Sequence, residues 1–185
     1  MKAKKLGKFL VSLLFLLVLL LLLYQYTSAP HINEDVPLPD QLHPKVAENR
    51  DILIQEGAEK GIQIIITDGF RSKADQDRLY EQGRSEDGNI VTYAKGGESY
   101  HNFGLAIDFA LLSKEGKAIW DMNYDGNGNG ESDWMEVVAI AKDLGFEWGG
   151  DWKRFKDYPH LEMPFGLSIH ELQRGKRPPG SDVLK

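Results

Sequence analysis

The strongest constraint on this chain is a change of backbone period around one glycine. The stretch reads Ser99-Tyr100-His101-Asn102-Phe103-Gly104-Leu105-Ala106-Ile107-Asp108-Phe109-Ala110. Gly104 lacks a Cβ and accepts backbone angles that other residues resist, so the chain can turn there. Beyond it the residues alternate with period two, which predicts a strand. Leu105, Ile107 and Phe109 then share one face, and Ala106, Asp108 and Ala110 share the other. Small neighbours on its own face leave room above the Asp108 carboxylate. His101, seven residues earlier, can fold back over the turn to meet it.

A carboxylate and an imidazole converging on open space make either part of a metal site or a buried hydrogen-bonded pair. Asp157-Tyr158-Pro159-His160 is the best source of a third ligand. Pro159 biases Tyr158 away from helix, so His160 should open a strand. On that strand His160 and Glu162 share one face, and Leu161 and Met163 the other. Two His and one Asp suit zinc, and three protein ligands leave a fourth position for water. The chain has no cysteine, so disulfides, thiolate metal sites and a lipid anchor on an N-terminal cysteine are all excluded. A metal here must use nitrogen and oxygen ligands.

Four lysines and no acid open the chain, followed by a leucine-dominated run to Tyr24. Lysines stay in the cytoplasm, so the remainder should emerge outside. Residues 1–26 are expected to be an uncleaved signal-anchor. The alternative is a signal peptide cleaved after Thr27-Ser28-Ala29, which Pro30 disfavours. The expected location is the cell membrane with the domain outside, or the cell wall if cleavage occurs. The whole chain is at −6 and residues 1–26 are at +4, which leaves the rest at −10. Phosphate contacts need a basic surface, so nucleic acid is not an expected partner. A monomer is expected.

Residues 27–43 are proline-rich and read as a linker, residues 44–164 as the domain, and residues 165–185 as a C-terminal extension. That extension is expected to be a short helix and a flexible tail with the basic run Arg174-Gly175-Lys176-Arg177. Within the domain, Pro44 to Lys60 predicts a helix with Val46, Leu53 and Ile54 inward and Gly61 as its stop. Ile62 to Thr67 is β-branched and apolar, a buried strand. It delivers Asp68-Gly69-Phe70-Arg71-Ser72 to a turn, with Ser72 as cap of a helix over 73–82. Gly83 to Glu98 reads as a loop beside the site, with a short strand at Ile90-Val91-Thr92-Tyr93. Ala118 to Met122 is strand-like. Trp134, Val137, Val138, Ala141 and Leu144 form one helical face, ended by Gly145. Arg71 fits either an ion pair with Asp68 or Asp75, or a clamp on a substrate carboxylate.

Asp125 to Glu136 fits a calcium-loop pattern, with side-chain oxygens at Asp125, Asn127, Asn129, Asp133 and Glu136, and Glu131 between them. Ser132 stands where an apolar residue is usual, and the preceding segment is strand-like rather than helical. A structural Ca2+ site and a turn in which Asx side chains bond their own backbone both fit.

Taken in order, Ser-x-His-x-x-Gly-x-Ala-x-Asp and the later Asp-x-x-His resemble the zinc peptidases of the D-alanyl-D-alanine carboxypeptidase and L-alanyl-D-glutamate endopeptidase superfamily, peptidase family M15. Hedgehog signalling domains share that fold. The likeness runs from about Val36 to Met163 and includes Gly69-Phe70-Arg71-Ser72 and Gly145-Phe146-Glu147-Trp148-Gly149-Gly150-Asp151-Trp152. It is most similar to the peptidoglycan endopeptidases of bacteria and phage. The resemblance implies an α+β fold, helices packed on a small antiparallel sheet. It implies zinc on His101, Asp108 and His160, and a catalytic base at Asp157, where many relatives carry glutamate. It carries substrate contacts onto Arg71, Gln76 and Ser99. The implied substrate is a peptidoglycan stem peptide, cut at the L-alanyl-D-glutamate bond. The alternatives are a D-alanyl-D-alanine carboxypeptidase and a non-catalytic zinc-containing binding module.

Overall fold

The computed structural model describes residues 12–21, 33 and 35–181. The chain forms two units, Met1–His31 and Ile32–Lys185. In the first, residues 12–21 are helical. The remainder of the expected membrane segment lies outside the described residues. Among the described residues no helix is long and apolar enough to cross a membrane.

The second unit is α+β. Its elements are α1 (Pro44–Glu59), β1 (Ile64–Asp68), α2 (Lys73–Glu81), a 3₁₀ turn (Tyr100–Phe103), β2 (Ala106–Leu112), β3 (Ala118–Ile119), α3 (Asp133–Asp143), β4 (Glu147–Trp148), a second 3₁₀ turn (Gly149–Asp151), β5 (His160–Glu162) and α4 (Ile169–Gln173). Pro44 stands at the start of α1, where its missing N–H costs nothing. Ser72, Ser132 and Ser168 cap α2, α3 and α4 by accepting a backbone N–H.

The strands form one antiparallel sheet in the order β1-β2-β5-β4, with β3 also paired to β2. The register sets Asp68, Asp108 and His160 side by side across three strands. β2 alternates as its sequence predicts. Leu105, Ile107, Phe109 and Leu111 are buried in one cluster with Val46 and Leu53 of α1 and Trp134, Val137, Val138 and Ala141 of α3. Each of the Val, Leu, Ile and Phe side chains among them contributes roughly 1.5–3 kcal/mol when fully buried. The opposite face of β2 presents Asp108 between Ala106 and Ala110.

Three expectations need correction. Residues 90–93 form no strand. Thr92 and Ala94 are instead tied to the Gln76 amide, which donates to Thr92 Oγ1 and to the Ala94 carbonyl. The described part of the segment read as a linker, residues 33 and 35–43, belongs to the fold. Asn33 donates to the Gln173 carbonyl, His43 N–H donates to the Gly104 carbonyl, and Leu38 and Leu42 pack on the core. Residues 174–181 are no loose tail. Arg177 donates to the carbonyls of Leu172, Val36 and Pro37, and the His43 ring bonds the Pro179 carbonyl.

Candidate active site

His101 reaches the site from the 3₁₀ turn that Ser99 caps. Asn102, fully buried, fixes that turn. Its Oδ1 accepts from Gly97 and Ser99, and its Nδ2 donates to the Arg71 carbonyl. Gly104 ends the turn at φ +66°. A Cβ at Gly104 would overlap the Gln41 carbonyl, so both conformation and space demand glycine. His101 Nδ1 lies 2.7 Å from the Gly69 carbonyl. A carbonyl only accepts, so Nδ1 carries the proton and Nε2 is left free toward the site.

His160 sits at the start of β5 with its Nε2 2.9 Å from Glu162 Oε2. Glu162 lies two residues on, on the same strand face, and is itself buried. This bond turns the other ring nitrogen, Nδ1, inward. His101 Nε2, Asp108 Oδ1 and His160 Nδ1 therefore converge, with separations of 3.2, 3.3 and 3.2 Å. Ligand atoms about 2.05 Å from a tetrahedral ion stand about 3.3 Å apart. The three residues fit zinc, and among the described residues they are the one grouping of three His, Cys, Asp or Glu ligand atoms close enough to hold a metal.

Without metal, crowding shifts the titration of the groups around the cluster. In that state burial pushes the Asp108 carboxyl up, but the imidazoles of His101 and His160 beside it outweigh burial and hold the group well below the carboxylate range. Burial pulls the His160 imidazole down, but Asp108 and Glu162 outweigh that and raise it to about 9. Asp157 is raised, first by burial and then by the charge of Asp108. It reaches the site on the loop between β4 and β5. Asp157 N–H donates to the Gly149 carbonyl, and the Trp148 indole donates to the Tyr158 carbonyl.

The cluster lies in a cleft of about 650 Å³ that Arg71, Ser99, Asp157 and Glu162 also line. Arg71 donates through Nε and Nη2 to Asp68, at 3.0 and 2.6 Å, and through Nη1 to Gln76. The ion pair with Asp68 and the place in the cleft wall are thus both real. The Asp75 alternative is not, because Asp75 pairs with Arg78. Gln76 is fully buried. It holds Arg71 and the 92–94 segment and does not line the cleft, so the expected substrate contact at Gln76 becomes a supporting one. Glu162 was legible only as the residue sharing the His160 face; its bond to His160 was not.

In the 125–136 loop the oxygens turn to the loop's own donors. Asp125 accepts from the amides of Gly128, Asn129 and Gly130, and Glu136 accepts from the side chains of Asn127, Asn129 and Lys60. Asn129 accepts from the Glu131 amide, and Asp133 Oδ2 from the Gly126 amide. The structure thus has the Asx-bonded turn where a Ca2+ site was the other expectation.

A family model described as D-alanyl-D-alanine carboxypeptidase matches residues 92–163. The peptidoglycan L-alanyl-D-glutamate endopeptidase CwlK of Bacillus subtilis (strain 168) is 69% identical over 130 residues, which are 70% of this chain and 78% of that protein. The L-alanyl-D-glutamate peptidase of Listeria phage A118 is 33% identical over 114 residues, 61% of this chain and 34% of the phage protein. The bifunctional D-Ala-D-Ala dipeptidase and D-Ala-D-Ala carboxypeptidase VanXYC of Enterococcus gallinarum is 37% identical over 91 residues, 47% of this chain and 45% of that protein.

Proposed function

The chain belongs to peptidase family M15, the D-alanyl-D-alanine carboxypeptidase family, and on that premise we propose that it cuts peptidoglycan stem peptides at the L-alanyl-D-glutamate bond. The observation that carries the peptidase reading is the triangle of His101 Nε2, Asp108 Oδ1 and His160 Nδ1 on the floor of a cleft. The bond assignment is supported by the relative that shares 69% of its residues over most of its length.

His101, Asp108 and His160 hold the zinc, which when bound acts as a Lewis acid that acidifies water and polarises a carbonyl. Asp157 takes the proton of the attacking water and passes it to the departing amine of D-glutamate. Burial and the Asp108 charge raise its pKa, which is the direction that helps a carboxyl return the proton it has taken. Arg71 and Ser99 bind the α-carboxylate of D-glutamate, which is free because the residue continues through its side chain. Asp68 and Gln76 hold the guanidinium in place, so the scissile bond is fixed over the metal residues.

The test is digestion of purified peptidoglycan by the zinc-loaded protein, with and without chelator, read by mass spectrometry. New L-alanine C-termini and D-glutamate N-termini that chelator abolishes are the expected result. Release of D-alanine alone would make it a carboxypeptidase, and no cleavage by zinc-loaded protein would make it a binding module.

Two further readings belong here. The lysines and leucine run of residues 1–26 support a membrane-directed segment with the peptidase unit outside; fractionation and N-terminal sequencing of the mature protein test it. The spacing of Asp125, Asn127, Asn129, Glu131, Asp133 and Glu136, with Asp133 Oδ1 buried and unpartnered, supports calcium in that loop, which would have to draw these oxygens off their present amide partners. Calorimetric titration without heat, together with an unmoved Tm, overturns it.

A further inference from the structure

The cleft does not end at the metal residues. β2 gives it a direction. Ser99 and His101 precede the Gly104 turn and so stand at the N-terminal end of β2; the Arg71 backbone is tied there by its N–H to the His101 carbonyl, and its guanidinium reaches back to Asp68, 3.6 Å from Asp108. At the other end β3 pairs with β2, Leu111 opposite Ile119. The next residue, Trp120, lies just past the end of β3; continuing the same register would set it level with Ala110, two residues beyond Asp108. At strand spacing this is about 7 Å from the metal row. Trp120 lines the same cleft yet is 54% exposed. Tyr93 and Phe155, also in the cleft wall and exposed, face one another edge-on with centroids 5.9 Å apart. Large apolar side chains left open at a cleft mark a surface that a ligand covers.

We propose that Trp120 is the platform for the pyranose ring of the N-acetylmuramoyl residue that carries the stem peptide, so that the enzyme acts on glycan-attached stems in preference to free peptides. The inference rests on the L-alanyl-D-glutamate reading. With D-glutamate held by Arg71 and Ser99, the chain on the N-terminal side of the scissile bond runs toward the C-terminal end of β2. The L-alanyl residue and its lactyl link together span about 7 Å when extended. That places the sugar at Trp120. A pyranose offers one broad face of C–H groups, which an indole covers while the ring hydroxyls stay in water.

The test uses the full zinc-loaded chain and two substrates that differ only at the L-alanine nitrogen, one carrying N-acetylmuramic acid through its lactyl group and the other an acetyl group. The wild type should show a kcat/KM about tenfold higher for the sugar-bearing substrate, the factor expected of one well-placed ring contact. Trp120→Ala should bring the ratio close to one, and Trp120→Tyr should restore most of it. Equal rates in the wild type, or an unchanged ratio in Trp120→Ala with full zinc content, would overturn the sugar subsite and leave the bond assignment standing. If neither substrate is cut at the L-alanyl-D-glutamate bond, the function reading fails. The subsite is then judged by calorimetric titration with N-acetylmuramoyl-L-alanine. Saturable binding that Trp120→Ala abolishes supports it, and no saturable binding by the wild type overturns it.

Discussion

Asp157 is held where its ionisation is unfavourable. Burial and then the Asp108 charge raise its pKa above the ordinary 3.8, against the opposing pull of His160, His101 and Arg71. A carboxyl whose folded pKa exceeds its unfolded one stabilises the fold fully while protonated, below the unfolded value. That contribution is lost as pH rises through the folded value. Ionised Asp157 therefore weakens the fold at neutral pH. In the metal-free protein Asp157→Asn should raise Tm at pH 7, with the gain vanishing toward pH 3, by thermal melts across that range. The same variant should keep its zinc and lose about 10²–10⁴-fold in peptidase activity. Glu162 acts at one remove, by accepting the His160 Nε2 proton. Glu162→Ala should weaken zinc about 10–100-fold in competition with a chromogenic chelator, while Glu162→Gln, which keeps an acceptor, should lose much less.

Among the elements, two short glycine-bearing turns carry more of the site than the helices do. Gly104 reverses the chain between His101 and Asp108 at a positive φ and against the Gln41 carbonyl. Gly104→Ala should cost about 1–3 kcal/mol in denaturant unfolding. Gly149 has ordinary backbone angles but no room: a Cβ there would overlap the Asp157 carbonyl and lie 3.1 Å from the Cβ atoms of both Asp157 and His160. Gly149→Ala should therefore lower kcat more than it raises KM, because it displaces the base rather than the substrate clamp; steady-state kinetics check this. Local signals explain what the sequence disclosed. Period-two alternation marked β2, serine caps marked α2, and Pro159 announced the strand that begins at His160. Contacts between distant segments left no such trace. Gln76 reads as any polar helix residue, yet it is buried beneath Arg71 and joined to Thr92 and Ala94. Ile90 to Tyr93 has strand composition but finds no strand to pair with.

For the peptidase unit as a whole, the chain ends close the structure. Residues 35–43 and 174–181 bind each other and cover the turn that holds His101, with the Arg177 guanidinium 5.5 Å from the Phe103 ring centroid. Arg177→Ala strands the carbonyls of Leu172, Val36 and Pro37, and should cost about 1–3 kcal/mol by denaturant unfolding.

The row of Asp68, Asp108 and His160 across β1, β2 and β5 has a consequence for folding. A slip of one residue in either pairing turns these side chains to the opposite face of the sheet. Asp108 and His160 can then grip the metal only when β2 and β5 are aligned and the turn that carries His101 folds back over them, while β1 aligns Asp68, the anchor of Arg71. Zinc is in this sense an inspector of assembly as well as a reagent, and a misaligned chain is a harmless one, unable to attack the wall that its correctly aligned counterpart cuts.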